Sequence, residues 1–219
     1  MKKIAKIISV TAIFFIFSTS FSAVANASPK LVKVVCSETS AVGHREKKVP
    51  TPKINKSSRN KIITLTTNCG DIVIEASSKN APITTSMLTG LINSGFYDMS
   101  ICHRIINSAT ASLLQCGDPT ASGFGGPLFT FKDENLPSQS EKNYPAGTVS
   151  MFYTGNKDQN GSQFYIMAND TTLDPNYSIW GKVISGLEIV KAVVNNGTED
   201  NNPIGKPRTK IAIEKATVR

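Results

Sequence analysis

From residue 62 to the C-terminus, apolar character comes in short bursts, and this limits the fold more than any other feature. The bursts are Ile62–Thr67, Ile72–Glu75, Ile101–Ile106, Ser112–Cys116, Thr148–Phe152, Ser162–Met167, Ser178–Val183 and Lys210–Glu214. Clusters of Gly, Asn, Asp and Pro separate them. Short runs rich in β-branched and aromatic residues, bounded by turn formers, read as strands of a sandwich or closed barrel. Asn68-Cys69-Gly70-Asp71 reads as the turn of a hairpin between the first two. Only two segments carry helical spacing. Ile83, Met87, Leu88, Leu91 and Ile92 form a stripe behind Pro82, which suits a first turn, and Gly95 would end it. Leu187, Ile189, Val190, Val193 and Val194 form a second stripe over Gly186–Val194, stopped at Gly197.

The first residues have a different character. Lys2, Lys3 and Lys6 precede an apolar run from Ile7 to Phe17, and small residues then lead to Ala25-Asn26-Ala27. That is the layout of a secretory signal with cleavage after Ala27, so residues 1–27 are expected to direct export. The run is short for a membrane span, which needs about 20 residues. No stable membrane insertion is expected after cleavage. The whole chain carries a formal charge of +8, but unevenly. Residues 28–61 hold nine Lys and Arg against two acids, whereas residues 62–219 are slightly acidic. The basic excess sits in a Pro-, Ser- and Lys-rich stretch, residues 28–60, expected to be a flexible linker. Without a basic stripe interleaved with aromatics on the folded body, nucleic acid is not an expected partner.

Alternation within the strands singles out a functional face. Successive side chains of a strand point to opposite sides. Gln163 and Tyr165 therefore share one face, and Phe164 and Ile166 the other. Leu113 shares a face with Gln115, and Arg104 with Ile106. Three strands each offer a long polar side chain with an apolar or aromatic companion, a surface suited to an extended peptide. Arginine donates hydrogen bonds without acting as a base, and glutamine both donates and accepts.

The ordered motifs resemble the cyclophilin family over residues 61–219. They are Gly95-Phe96-Tyr97-Asp98, Cys102-His103-Arg104-Ile105-Ile106, Leu114-Gln115-Cys116-Gly117-Asp118-Pro119-Thr120 and the glycine loop Gly123 to Pro127. Asp133-Glu134-Asn135, Gly161-Ser162-Gln163-Phe164-Tyr165-Ile166, Leu173-Asp174 and Tyr177-Ser178-Ile179-Trp180-Gly181 follow. The resemblance implies a mostly β fold, an eight-stranded antiparallel closed barrel capped by two α-helices. It implies a monomer that needs no cofactor or metal and isomerises X-Pro bonds of client peptides. On the family pattern Arg104, Gln115 and Gln163 are the catalytic residues. Leu113, Phe152, Tyr165, Leu173 and Tyr177 are expected to bind substrate. A protein that only holds proline-containing segments, as a chaperone or scaffold on the same barrel, is the alternative.

Several positions depart from the family pattern. The stretch Asn107-Ser108-Ala109-Thr110 makes the Arg104-to-Gln115 spacing three residues longer than usual, so the hairpin must bulge or extend. Ser112 stands where a pocket phenylalanine is expected, and Phe152-Tyr153 where alanine-asparagine is usual. His103, facing away from Arg104, reads as a hydrogen-bonded core histidine. Asp118, Asp133, Glu134 and Asp174 read as turn and cap residues. Four cysteines, Cys36, Cys69, Cys102 and Cys116, permit two disulfides in an exported chain. If Arg104 and Gln115 both face the pocket, alternation puts Cys102 and Cys116 on opposite sides. Their pairing is then disfavoured, leaving Cys36 and Cys69 to partner them in either order.

Overall fold

The structure, a computed structural model, describes residues 34–55, 57 and 59–219. The expected export signal, residues 1–27, lies outside the described residues. In chain order the elements are β1 (Lys61–Thr67), β2 (Gly70–Ala76), α1 (Pro82–Asn93), β3 (Ser100–Ile101), β4 (Arg104–Asn107), β5 (Ser112–Cys116) and β6 (Thr148–Met151). They continue with β7 (Phe164–Met167), β8 (Ile179–Ser185), α2 (Leu187–Asn195), β9 (Ile204–Gly205) and β10 (Ala212–Val218). No helix among the described residues is long and apolar enough to cross a membrane.

All ten strands join one antiparallel sheet in the order β3-β10-β1-β2-β8-β6-β7-β5-β4-β9. The expected eight strands become ten because β3 and β9 are two-residue pairings at the two ends of that order. Only Cys102 and His103 separate β3 at one end from β4 near the other, so the sheet must curl to let the chain cross. Among the described residues, no hydrogen-bonded ladder links the two ends in this order.

The curl gives the sheet an inside and an outside. Directly paired residues point the same way, so register assigns every side chain. Ile105 pairs with Leu114, Leu114 with Ile166, and Ile166 with Val149. All four belong to the main core, together with Trp180 and the buried stripes of both helices. The outward rows are Arg104–Gln115–Tyr165–Ser150 and Ile106–Leu113–Met167. The second row and Tyr165 build a separate apolar cluster on the far face.

Helix α1 buries Met87, Leu88, Leu91 and Ile92, each contributing about 1.5–3 kcal/mol of burial. Its N-cap, Ala81, has no polar side chain to offer. Glu134 supplies the cap from a distance, its carboxylate accepting from Ile83 N (3.2 Å) and Thr84 N (2.6 Å). A carboxylate there also meets the positive end of the helix dipole. The cap expected of Glu134 is thus present, on a helix remote in sequence.

The four cysteines form Cys36–Cys69 and Cys102–Cys116 bridges. The second corrects the expectation from alternation. Cys102 and His103 belong to no strand, because the chain there leaves β3 and enters β4. Strict period two does not cross that corner, and Cys102 turns inward to meet Cys116 in the main core. Cys36 is disulfide-bonded as expected, but to Cys69 instead of Cys102 or Cys116, and it staples the N-terminal segment to the β1–β2 turn.

That segment also departs from a flexible linker. Residues 34–55 have no regular secondary structure, yet they are docked on the folded body. Ser37 N donates to Asn68 O (2.8 Å) and His44 N to Pro119 O (2.8 Å). Lys47 Nζ donates to Gly95 O (2.7 Å), and Asn55 N to Ser86 Oγ on α1 (2.8 Å). Gly90 of α1 leaves the space that Pro52 occupies. Ala41 of this arm is itself buried.

Candidate functional site

Strands β4, β5 and β7 bring the expected polar residues together. Arg104 is directly opposite Gln115, and Gln115 opposite Tyr165. Gln163, one residue before β7, has the parity of Tyr165 and reaches the same face. Gln115 Nε2 donates to Gln163 Oε1 at 2.7 Å. Gln163 Nε2 donates in turn to Gly123 O and Gly125 O, both at 2.9 Å. Gln163 is therefore fully engaged within the protein, as a strut between Gln115 and the glycine loop. Arg104 Nε and Gln115 Oε1 differ: both are buried and neither has a partner among the described residues.

The extra residues between Arg104 and Gln115 extend the β4–β5 hairpin without a bulge. Register holds from Arg104–Gln115 to Asn107–Ser112, and residues 108–111 form the loop. Ser108 N donates to Ala111 O (2.8 Å) to close it.

The apolar residues also assemble, and they pack on one another. Leu113 and Tyr165 are almost completely buried, with Phe152, Leu173 and Tyr177 against them. The Phe152 ring meets Tyr165 edge-on at 5.7 Å, and Tyr165 lies tilted 31° to Tyr177 at 5.6 Å. Tyr153 meets Tyr177 edge-on at 5.9 Å. Phe152 N donates to Gln163 O (2.9 Å), which ties the aromatic segment to the polar row. At position 112, the missing ring is replaced by hydrogen bonds: Asn169 Nδ2 donates to Ser112 Oγ (3.1 Å) and Ser112 N to Thr171 Oγ1 (3.1 Å).

Two depressions flank this cluster. One of about 320 Å³ opens beside His103, Arg104, Phe152 and Lys206. The other, also about 320 Å³, runs along the glycine loop to Gln163 and shares Gly123, Phe124 and Phe152 with the first. Neither is lined by Leu113, Tyr165 or Leu173, which Phe152 helps to cover.

A family model described as cyclophilin type peptidyl-prolyl cis-trans isomerase/CLD matches residues 62–218. The chain belongs to this family. It is 32% identical to the probable peptidyl-prolyl cis-trans isomerase B of Mycobacterium leprae, over 78% of this chain and 59% of that protein. A Mycobacterium tuberculosis protein of the same description is 34% identical over 77% and 56% respectively. The chain thus spans less than two thirds of those relatives. The peptidyl-prolyl cis-trans isomerase cypE of Dictyostelium discoideum is 36% identical, with 96% of its length covered. A Cryptosporidium parvum cyclophilin type isomerase, crystallised in the presence of the dipeptide Ala-Pro, superposes with TM-score 0.61 at 27% identity, covering 72% of this chain and 98% of its own.

The electrostatics of the cyclophilin domain follow from burial. Burial pushes the phenols of Tyr165 and Tyr177 up, while the nearby Arg104 charge pulls both back. Both hydroxyls stay protonated at neutral pH and can donate. Burial also lowers His103, against the attraction of Asp118. His103 is half-buried, not a hydrogen-bonded core residue. Both its ring nitrogens lack partners among the described residues, and it lines the Arg104 depression. Burial would raise Asp118, but Thr120, Gly125 and Gly123 donate to its carboxylate and the net shift is downward. Asp118 is the turn residue expected, anchoring the start of the glycine loop.

Three supporting residues of the cyclophilin domain carry no signal in the sequence. Asn143 clamps Leu173, donating from Nδ2 to its carbonyl (2.8 Å) and accepting from its N–H (3.1 Å). Tyr144 packs under Tyr177 at 6.0 Å, and its hydroxyl accepts from Tyr177 N (3.1 Å). Burial raises that phenol to about 12. Ser150 completes the outward row and is recognisable only from register. No group of three or more metal-ligating side chains occurs among the described residues.

Proposed function

We propose that the chain is a peptidyl-prolyl cis/trans isomerase acting on X-Pro bonds of exported or surface proteins. The observation carrying this is the pair of unpartnered buried atoms, Arg104 Nε and Gln115 Oε1, on adjacent strands beside an open groove. A buried donor or acceptor without a partner costs about 1–3 kcal/mol, so such atoms mark a place where a ligand completes the hydrogen bonding. A peptide backbone offers both an N–H for Gln115 Oε1 and acceptors for Arg104.

The chemistry needs no covalent step. An X-Pro bond turns slowly because rotation breaks amide resonance, with a barrier of about 20 kcal/mol. In the twisted transition state the prolyl nitrogen regains a lone pair. A donor aimed at that nitrogen binds the twisted state better than the planar one, and only such differential binding raises the rate. Arg104 takes this role, its backbone held opposite Gln115 by strand pairing. Gln115 holds the peptide backbone. Gln163 acts as a positioning residue, since its amide is committed to Gln115 and the glycine loop. Leu113, Tyr165, Leu173 and Tyr177 receive the proline ring once the Phe152 ring swings aside.

One observation favours the binding-only reading: Phe152 packs edge-on against Tyr165 and crowds the apolar wall that would receive proline. A protease-coupled assay on a short X-Pro peptide separates the two. The isomerase reading expects a rate above the thermal background that falls about 100-fold or more in Arg104→Ala, the loss typical of a transition-state donor. Peptide binding without an arginine-dependent rate would favour the scaffold.

A further inference from the structure

The arm of residues 34–55 lies outside the segment matched by the family, and it adjoins the glycine loop at Gly126 and Leu128. Arg45, Glu46, Lys47 and Lys48 form one wall of a depression of about 250 Å³ whose other wall is Gly126 and Leu128. Gly126 also lines the glycine-loop depression, which in turn shares Gly123, Phe124 and Phe152 with the depression at Arg104. Three neighbouring depressions therefore define a path from Arg104 along the glycine loop to the arm, adjoining at Phe124 and at Gly126. The three basic residues are exposed and their backbone is anchored, by the His44–Pro119 hydrogen bond before them and the docking of Pro52 on α1 after them.

Charge along this path is mostly positive. Arg104 stands at one end beside Lys206, whose ammonium pairs with Glu199 (2.8 Å), and Arg45, Lys47 and Lys48 stand at the other, with Lys47 Nζ donating to Gly95 O. Glu46 is the single acid lining the path among the described residues, although residues 62–219 as a whole are slightly acidic. Asp118 lies beneath the loop with its carboxylate taken by Thr120 and Gly123. Between the two ends, Phe124 and Leu128 project 96% and 82% exposed.

We infer that the arm adds a basic subsite to the client groove and selects proline-containing segments that carry acidic side chains beyond the residues adjoining the proline. The inference rests on the client-binding reading above. The occupant is an extended acidic client segment, chosen because the path joins the subsite to the arginine that meets proline and because its charge is complementary. An anionic polymer without proline would be held by charge alone and would have no use for that continuity.

Binding tests the inference without depending on turnover. Three peptides with one Ala-Pro core and flanking glutamates, glutamines or lysines are titrated into the isotope-labelled, oxidised protein and followed by NMR. At low salt the glutamate peptide is expected to bind roughly 3- to 10-fold tighter than the glutamine peptide, the sum of a few exposed ion pairs. The advantage should shrink at about 0.5 M salt, where screening acts within a few ångströms. Arg45→Glu combined with Lys48→Glu should abolish it. Equal affinities in the wild type overturn the inference, as does an advantage that survives the double substitution. So does a glutamate peptide without proline that binds as tightly as its proline-containing counterpart, since that describes a general polyanion patch. An active isomerase with no charge preference sinks this inference alone, whereas an inactive protein that still prefers glutamate sinks only the isomerase reading.

Discussion

The polar row and the aromatic wall occupy the same face of the same sheet, yet they are held in opposite ways. Arg104 and Gln115 keep buried hydrogen-bonding atoms unpartnered, fixed by strand pairing and by the Gln163 strut. The aromatic residues beside them satisfy one another ring to ring, and Phe152 closes over Tyr165. On the proposed reading, the polar row is ready before a client arrives, whereas the wall opens by movement of the Phe152 ring. The contrast assigns rate to the first region and access to the second.

The Cys102–Cys116 bridge is where the polar row breaks most severely. It ties the entry of β4 to the end of β5, flanking both Arg104 and Gln115 in sequence. With a separation of 14 residues, its removal by paired serine substitution should cost about 3 kcal/mol by loop-closure entropy. Chemical denaturation should show that loss, with isomerisation falling more than peptide binding does. Loss of both in equal measure would mean the bridge merely holds the fold.

Phe152→Ala sharpens the other half. Removing a half-buried ring and its edge-on contact should destabilise the protein by about 1 kcal/mol. The same change should lower KM for a bulky X-Pro peptide several-fold by uncovering Tyr165. An unchanged KM would show that Phe152 does not guard the pocket.

The smallest effect concerns His103, at the edge of the polar row. Burial holds its pKa below the ordinary value of about 6.5. As pH falls through that value, the unfolded chain takes up the proton first, so stability is full above it and declines below. Thermal unfolding followed from pH 7.5 to 5.5 should show the decline, and His103→Asn should flatten it. Identical pH profiles would remove His103 from the account.

What could be read from the sequence followed from local rules. Within an unbroken strand, alternation placed Gln163 and Tyr165 outward and Phe164 and Ile166 in the core, and register agrees. The same rule failed at Cys102, because the chain turns a corner between β3 and β4 and the two sides of that corner answer to different strand pairings. The arm was illegible for a related reason. A Pro-, Ser- and Lys-rich composition reports solvation, whereas this segment is held by backbone hydrogen bonds, by space left at Gly90 and by a disulfide to a distant turn. Asn143 and Tyr144 support the wall through contacts some 30 residues away in sequence, which no local pattern encodes.

The central claim separates rate from access on one face, and steady-state kinetics on a single X-Pro peptide by NMR exchange test it directly. In Arg104→Ala, kcat should fall about 100-fold or more with KM little changed, because the lost interaction exists only in the transition state. In Phe152→Ala, KM should move and kcat should not. An Arg104→Ala protein that retains its kcat would contradict the account.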